Sequence, residues 1–453
     1  MNWCRAGLRA RRRPKLPIKV GIRFRHAENV TALRQTRTQI MDILEHYDEI
    51  SHCNRCGFCQ VACPIFRSTG HEAGVARGRL ALLRAIIEGR LEWNREIEEP
   101  LFDCLLCGAC TANCFPAIPT SDLVIKARAQ YLEKVGRKSI HRLLFDHLLP
   151  YPRRLHLAAR AVALGKNTGV ADLAGALGLL KIFGRDFVHA NEIVERFPTR
   201  PFRDKIKTGA HSGEGQSLRI GYFVGCGVDI ISQDAGHATL QLLEKIAKTI
   251  HVLENCCCGL PAWSYGDLKA AQKLADRNLS ILASEEFDII VTDCSSCASF
   301  LKNYPQLFPE AGKHHEQAAA VSARVRDMVQ LIHAMDAGAP SSEPAVTATY
   351  HHPCHAARGQ GLSKEPGEIL NRLPGVEYRP LPEADWCCGG AGSYAFAHYE
   401  LSQQVLDRKM ENLKKTGADL LVTSCPACIM HLSYGVRKHG LSTKVCHISE
   451  LVK

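Results

Sequence analysis

The sequence has no stretch approaching about 18 uncharged apolar residues, which argues against a membrane-spanning helix. Behind its basic N terminus there is no continuous apolar run of the secretory-signal kind, so export is not expected and an intracellular, reducing compartment is. Acidic residues are missing from residues 1–25, where nine Lys and Arg stand unopposed. These nine make up most of the formal charge of +11 and leave the remainder near +2, with no case for nucleic-acid binding. No G-x-G-x-x-G follows a strand-like segment, since Gly389, Gly390 and Gly392 do not fit that template, so a dinucleotide or flavin fingerprint is also missing.

What is present is a chain of 453 residues, 46% hydrophobic and 23% charged, enough for two to four globular domains. It also holds 21 cysteines. In a reducing compartment a disulfide framework of that size is not expected, and metal binding is.

Eight cysteines fall in two sets. Cys53, Cys56, Cys59 and Cys63 precede Pro64; Cys104, Cys107, Cys110 and Cys114 repeat the spacing with Phe115 inserted before Pro116. C-x2-C-x2-C-x3-C-P is the spacing of a two-cluster bacterial ferredoxin, in which the fourth cysteine serves the other cluster. Cys53, Cys56, Cys59 and Cys114 are therefore expected on one 4Fe-4S cluster, and Cys104, Cys107, Cys110 and Cys63 on the second. Zinc sites usually pair C-x2-C units across a longer loop and fit this spacing poorly. Pro64 is expected to break the local helix and turn the chain away. Between the sets, Arg77–Leu91 has helical periodicity, and Arg77, Arg79 and Arg84 are read as a solvated face or as a lure for an acidic partner.

A longer repeat follows. Cys226, Cys257, Cys258, Cys294 and Cys297 recur as Cys354, Cys387, Cys388, Cys425 and Cys428, at offsets of 128, 130, 130, 131 and 131 residues. In the first copy 218–225 and 287–292 read as strands and 234–249 and 267–283 as helices; in the second, 348–352 and 419–423 as strands and 401–415 as a helix. The cysteines stand just past strand ends, where open α/β sheets present ligands. Five thiolates exceed the need of one zinc, and Gly259 and Gly389 would let backbone approach a bulky inorganic core, which favours a multi-iron centre with zinc as the alternative. His351, His352 and His355 flank Cys354 and are read either as loop hydrogen-bonding groups or as proton relays or caps for a cluster. Cys4, Cys256 and Cys446 fall outside the pattern.

The expected fold class is α+β multidomain: a mainly helical two-cluster ferredoxin-type module followed by two duplicated α/β cysteine-rich domains. The expected divisions are 1–40, a basic extension; 41–135, the two-cluster domain; 136–215, a helical connector; 216–337, the first cysteine-rich domain; 338–347, a linker; and 348–453, the second. Met41 is a candidate alternative start. Within the connector, 142–164 mixes apolar stripes with arginines, as a packed helix or a membrane-surface helix would.

Through Cys257-Cys258-Gly259 with Cys294-Ser295-Ser296-Cys297, and Cys387-Cys388-Gly389 with Cys425-Pro426-Ala427-Cys428, the chain resembles the CCG-domain iron-sulfur proteins. The order of modules and the segment Trp386–Tyr394 with Lys409–Asn412 are similar to the glycolate oxidase iron-sulfur subunit; the two complete late C-x2-C pairs are similar to heterodisulfide reductase catalytic subunits. The first resemblance implies an iron-sulfur electron-transfer subunit of a multisubunit, FAD-linked glycolate or lactate dehydrogenase or oxidase. FAD would then sit only on a flavoprotein partner, with a quinone or membrane carrier downstream, and the chain would be cytoplasmic or peripheral at the inner membrane through its partners. The second resemblance implies disulfide cleavage at non-cubane 4Fe-4S clusters on the CCG cysteines. No catalytic residue is assigned by either.

Overall fold

Ligand spacing of two or three residues leaves room for little more than one helical turn, and the N-terminal part of the chain is built accordingly. The computed structural model describes residues 43–335 and 346–452, without the side chains of residues 182 and 183. The 1–40 extension with Cys4, and residues 338–345 of the expected linker, lie outside the described residues.

Short helices Phe58–Ala62, Pro64–Thr69 and Ala109–Ala112 are braced by two longer ones, α1 (Ala76–Ile87) and α2 (Thr120–Val135). These bury Leu80, Leu83, Leu123, Ala127 and Tyr131 in one core with Ile97 and Leu101. As expected, Pro64 ends a helix, Phe58–Ala62, with Cys63 held extended before it; it also opens the next, because a proline at the first helical position forfeits an N–H that has no partner there in any case. One expectation changes here. Helix α1 stops at Ile87, ahead of Gly89 with φ of 69°.

The segment 136–215 is mainly helical but ends in a strand. Its 142–164 stretch divides into a π-helical turn, Leu143–Leu148, and α3 (Pro152–Asn167). Strand β1 (Gly209–Ser212) then pairs antiparallel with β3 (Ala247–Val252), so the first sheet recruits residues ahead of position 216. The helix expected over 234–249 ends at Ile246, where β3 takes over.

The rest of the first sheet is parallel. Strand β2 (Gln216–Tyr222) lies between β3 and β4 (Ile289–Thr292), and β5 (Val325–Asp327) lies outside β4, giving the order β1-β3-β2-β4-β5. The second sheet repeats the parallel part as β7 (Val376–Tyr378), β6 (Val346–Tyr350), β8 (Leu420–Thr423) and β9 (Lys444–His447), in that order. Parallel strands covered on both faces require near-continuous apolar runs, and Ile220, Tyr222, Ile290, Val291, Ala348, Tyr350, Leu421 and Val422 are all fully buried. The first strand of each copy is central, and the chain leaves it first to one side and then to the other. The crevice at such a switch point opens at the C-terminal strand ends, which is where Cys226, Cys294, Cys354 and Cys425 stand.

The two sheets share a core containing Val291, Met328, Tyr350, Ile369 and Val422. Across their junction Ser295 N donates to Ser424 O at 2.9 Å, and the two serine hydroxyls lie 2.7 Å apart. Among the described residues no helix is long and apolar enough to cross a membrane.

Candidate metal centres

Two cavities occupy the N-terminal part. One is lined by Cys53, Cys56, Cys59, Cys110 and Cys114, the other by Cys63, Cys104, Cys107 and Cys110. The fourth cysteine of each motif therefore faces the cavity of the other, and Cys110 borders both. Each loop turns around its cavity by the same device: Arg55 and Leu106 (φ 53° and 52°), then Gly57 and Gly108 (φ 89° and 71°), all in the left-handed region. Burial pushes the thiols of Cys59, Cys63, Cys107 and Cys110 up, Cys110 to about 12, so a cation would have to displace their protons.

The arginines of α1 do not form a free basic face. Arg77 pairs with Glu72 and donates to Arg55 O at 3.1 Å; Arg84 pairs with Glu88 at 2.7 Å. Arg79 is only 2% exposed, donates to Pro100 O at 2.5 Å, and leaves a buried Nη2 without a partner at the wall of the second cavity. An unpaired buried guanidinium beside four cysteines suits an anionic occupant. Phe115 does not intrude on the turn; it is 90% exposed.

The ten CCG cysteines form one continuous belt. In the first set Cys226 Sγ lies 3.8 Å from Cys257 Sγ, and hydrogen bonds link Cys257 with Cys258, Cys258 with Cys297 and Cys297 with Cys294. In the second, Cys388 Sγ lies 3.6 Å from Cys428 Sγ, with Cys354–Cys387, Cys387–Cys388 and Cys425–Cys428 contacts. The sets meet where Cys294 hydrogen-bonds Cys425. Thiols packed this closely divide into acidic and basic partners. Hydrogen bonds from Cys257 and Cys297 hold Cys258 down to about 5, while Cys226 is pushed well up by Cys257 and by burial. Five adjoining thiols cannot all ionise unaided, and a multivalent cationic centre is the chemistry that lets them.

The belt also reaches the second cavity. Cys63, Leu105, Trp386 and Cys387 share a small core with Cys107 packed against it, and Cys107 and Cys387 act on each other electrostatically. Arg358 donates to Cys107 O at 3.4 Å, and Tyr394 OH to Asp103 O at 3.0 Å. The order in space is thus the exposed Cys56 cavity, the second cavity, the second CCG set and the first CCG set.

Gly389 has φ of 86°, and a Cβ there would lie 2.7 Å from Ser402 O. Gly389→Ala is expected to destabilise the chain by about 2 kcal/mol through left-handed strain and to displace Cys388, seen as a lowered melting temperature together with lost metal.

Several nearby groups were not prominent in the sequence. Lys409 is fully buried and donates to Glu383 O at 2.5 Å; burial lowers it to about 8 even though Cys388 and Cys387 pull the other way. His431 Nε2 contacts Ser402 Oγ at 3.0 Å. Of the three histidines flanking Cys354, His355 bonds Ser296 Oγ at 3.0 Å and so takes a hydrogen-bonding role, whereas His351 does not. Burial brings His351 down to about 3. Cys256 lies outside the belt, its Sγ 3.3 Å from Asn278 Oδ1, and Cys446 sits in the shared apolar core.

Cys226 opens helix α4 (Cys226–Ile230), and a buried ionic cluster anchors that helix. Asp229 receives Arg203 Nε at 2.9 Å and contacts His156 Nε2 at 2.7 Å, while His156 Nδ1 lies 3.0 Å from Asp204, itself paired with Arg160. Burial opposes charge on both Asp229 and His156, but the hydrogen bonds win: the carboxylate is held below 3.8 and the imidazole above 6.5. The His156 contribution to stability is therefore complete below pH 6.5 and is lost as pH rises through its raised value; that of Asp229 is lost only as pH falls through its lowered one. Unfolding free energy measured against pH is expected to decline on the alkaline side, and His156→Gln to flatten that decline.

Known proteins match three regions of the chain. Residues 220–302 and 348–433 match the cysteine-rich (CCG) domain, 49–118 the 4Fe-4S dicluster domain, and 136–193 the linker region of the glycolate oxidase iron-sulfur subunit. The chain is 28% identical over 417 residues to the probable glycolate oxidase iron-sulfur subunit of Bacillus subtilis, covering 89% of this chain and 93% of that protein. It is 27% identical over 407 residues to one of the subunits of the fumarate reductase (CoM/CoB) of Methanothermobacter marburgensis, covering 88% and 71%. It is 32% identical over 240 residues to lactate utilization protein A of a Geobacillus strain, covering 52% of this chain and 99% of that protein.

Proposed function

Because the chain belongs to the CCG-domain iron-sulfur family, alongside lactate utilization protein A and the glycolate oxidase iron-sulfur subunit, we propose that it is the electron-transfer subunit of a multisubunit, FAD-linked glycolate or lactate dehydrogenase or oxidase. Electrons would pass from a flavoprotein partner towards a quinone or another carrier. The observation that carries this reading is the unbroken spatial succession of four cysteine sets from an exposed cavity to a buried belt.

In this reading Cys53, Cys56, Cys59 and Cys114 hold one 4Fe-4S cluster and Cys104, Cys107, Cys110 and Cys63 the other, while each five-cysteine set holds a further iron-sulfur centre. Bound clusters supply one-electron transfer without bond making. The protein's part is to hold them close, keep water away and balance charge. Arg79 and Lys409 set buried positive charge beside the second cavity and the second CCG set, and Arg358 ties those two regions together. Exposed Cys56, with Phe58 61% and Phe115 90% exposed nearby, marks the end at which a redox partner docks.

The test is to add glycolate or lactate anaerobically to the iron-loaded chain with and without the flavoprotein subunit proposed as its partner. Visible absorbance is expected to bleach only with the flavoprotein present. Oxidation of the hydroxyacid by the chain alone would refute the assignment.

A second reading is favoured by one observation: both five-cysteine sets are complete and meet at Cys294 and Cys425. That arrangement also suits two-electron disulfide cleavage between two centres. A reduced chain showing no spectral change with disulfides would exclude it.

A further inference from the structure

The two CCG sets are copies, yet one buried position beside them differs in kind. Strand β2 runs into Tyr222-Phe223-Val224, and Phe223 is 0% exposed. The same register after β6 reads Tyr350-His351-His352, with His351 1% exposed. A ring nitrogen of His351 and the sulfurs of Cys388 and Cys428 lie within 4.8 Å of one another. His351 Nδ1 is buried and has no hydrogen-bond partner. Of the other histidines near this set, His431 has Nε2 at Ser402 and His355 has Nδ1 at Ser296, while His352, whose Nδ1 is also buried without a partner, stands in no such group with cysteine sulfurs among the described residues. Nearby Lys409 spends its ammonium on the carbonyls of Glu383 and Ala384. A buried imidazole that leaves Nδ1 unpartnered and sets a ring nitrogen beside two thiols has the geometry and chemistry of a ligand, because neutral imidazole and thiolate share a preference for iron and zinc.

We propose that His351 is a nitrogen donor to the inorganic centre of the second five-cysteine set, whereas the centre of the first set, bounded by Phe223, takes thiolates alone. The proposal rests on the reading that both sets hold iron-sulfur centres. Its consequence is functional asymmetry. Neutral imidazole places less negative charge on iron than thiolate does, which raises the reduction potential, as histidine ligation does in Rieske centres. The second centre, which adjoins the Cys107 cavity, is then the more oxidising of the pair. Electrons arriving from the ferredoxin-type module settle there first, ahead of the first set.

The full chain, labelled with nitrogen-15 at histidine only, purified without air and poised in its paramagnetic state, is examined by pulsed electron paramagnetic resonance with iron counted in the same sample. The expected result is a nitrogen-15 coupling of directly bonded strength that disappears in His351→Phe. That variant copies the residue of the first set, is expected to keep its iron, and should show the second centre's midpoint potential shifted downwards. His351→Gln provides the same comparison should the phenylalanine variant fold poorly, and the labelled parent alone already reads the coupling. Full iron at both sets with no histidine coupling overturns this proposal and leaves the reading beneath it standing. Iron absent from both sets overturns the two together.

Discussion

Cys107→Ser is expected to remove about four iron atoms per chain and to reduce flavoprotein-driven reduction of a downstream dye to background. Cys107 lines the second cavity and is also the thiol that reaches Cys354 and Cys387 of the second CCG set. Its replacement therefore empties one centre and opens the line between the ferredoxin-type module and the belt. Serine keeps the size of the side chain, so the fold is expected to survive, as judged by an unchanged far-ultraviolet spectrum. Cys256→Ser and Cys446→Ser are the controls. Cys256 donates its thiol to Asn278 and Leu274, Cys446 packs in the apolar core, and both variants are expected to retain full iron. An unchanged iron count in Cys107→Ser would show that this thiol holds no cluster.

Arg203→Met is expected to destabilise the protein by about 3 kcal/mol, measured by denaturant unfolding, because it removes the guanidinium on the fully buried Asp229 carboxylate and leaves it His156 and one backbone N–H. Arg203 donates to Asp229 through Nε at 2.9 Å and Nη2 at 2.8 Å, and to Asn255 O at 2.7 Å. Asn255 in turn donates to Val224 O at 2.9 Å, and Asp229 lies on the short helix that Cys226 opens. The damage is therefore expected to reach the first CCG set, with iron lost there before it is lost from the second. Adding Asp229→Asn should restore much of the stability, since it removes the buried charge that lost its arginine; no recovery would mean that the arginine acts by packing alone.

Much of this organisation was legible in the sequence, for reasons that differ by feature. Ligand spacing is a local constraint, so Cys53–Cys63 and Cys104–Cys114 stand out along the chain. The duplication is legible because each copy repeats one strand-helix unit and carries its cysteines at the same strand ends. The strands and helices of the two copies follow apolar periodicity, and their boundaries shift where a neighbour competes for the chain. Residues 247–249 leave the expected helix because β3 finds ladder partners in both β1 and β2. Strand β1 itself, four residues long with alternating half-burial, has no signal strong enough to separate it from a connector.

What the sequence concealed was mostly relation in space. Nothing in the spacing places Cys294 against Cys425, because the contact arises from the packing of one sheet on another. Arg79 read as a solvated residue because charge alone does not reveal burial, whereas its carbonyl partner and its place at the cavity wall do. His351 had a usable signal. Sliding the second copy back by 128 residues aligns it with Phe223, and an imidazole in the place of a buried ring is a chemical change within an otherwise repeated spacing. Pro64 shows how one residue can carry two boundaries: it stops the helix Phe58–Ala62, as its sequence position implies, and begins the next.

The central claim is that four cysteine sets hold one line of iron-sulfur centres. Counting iron and zinc on the full chain purified without air tests it most directly. The account predicts about eight iron atoms in the ferredoxin-type module, further iron in the CCG sets, and zinc well below one atom per chain. About two zinc atoms per chain, with iron no higher than eight, would contradict it and leave the CCG belt a structural element beside a two-cluster carrier.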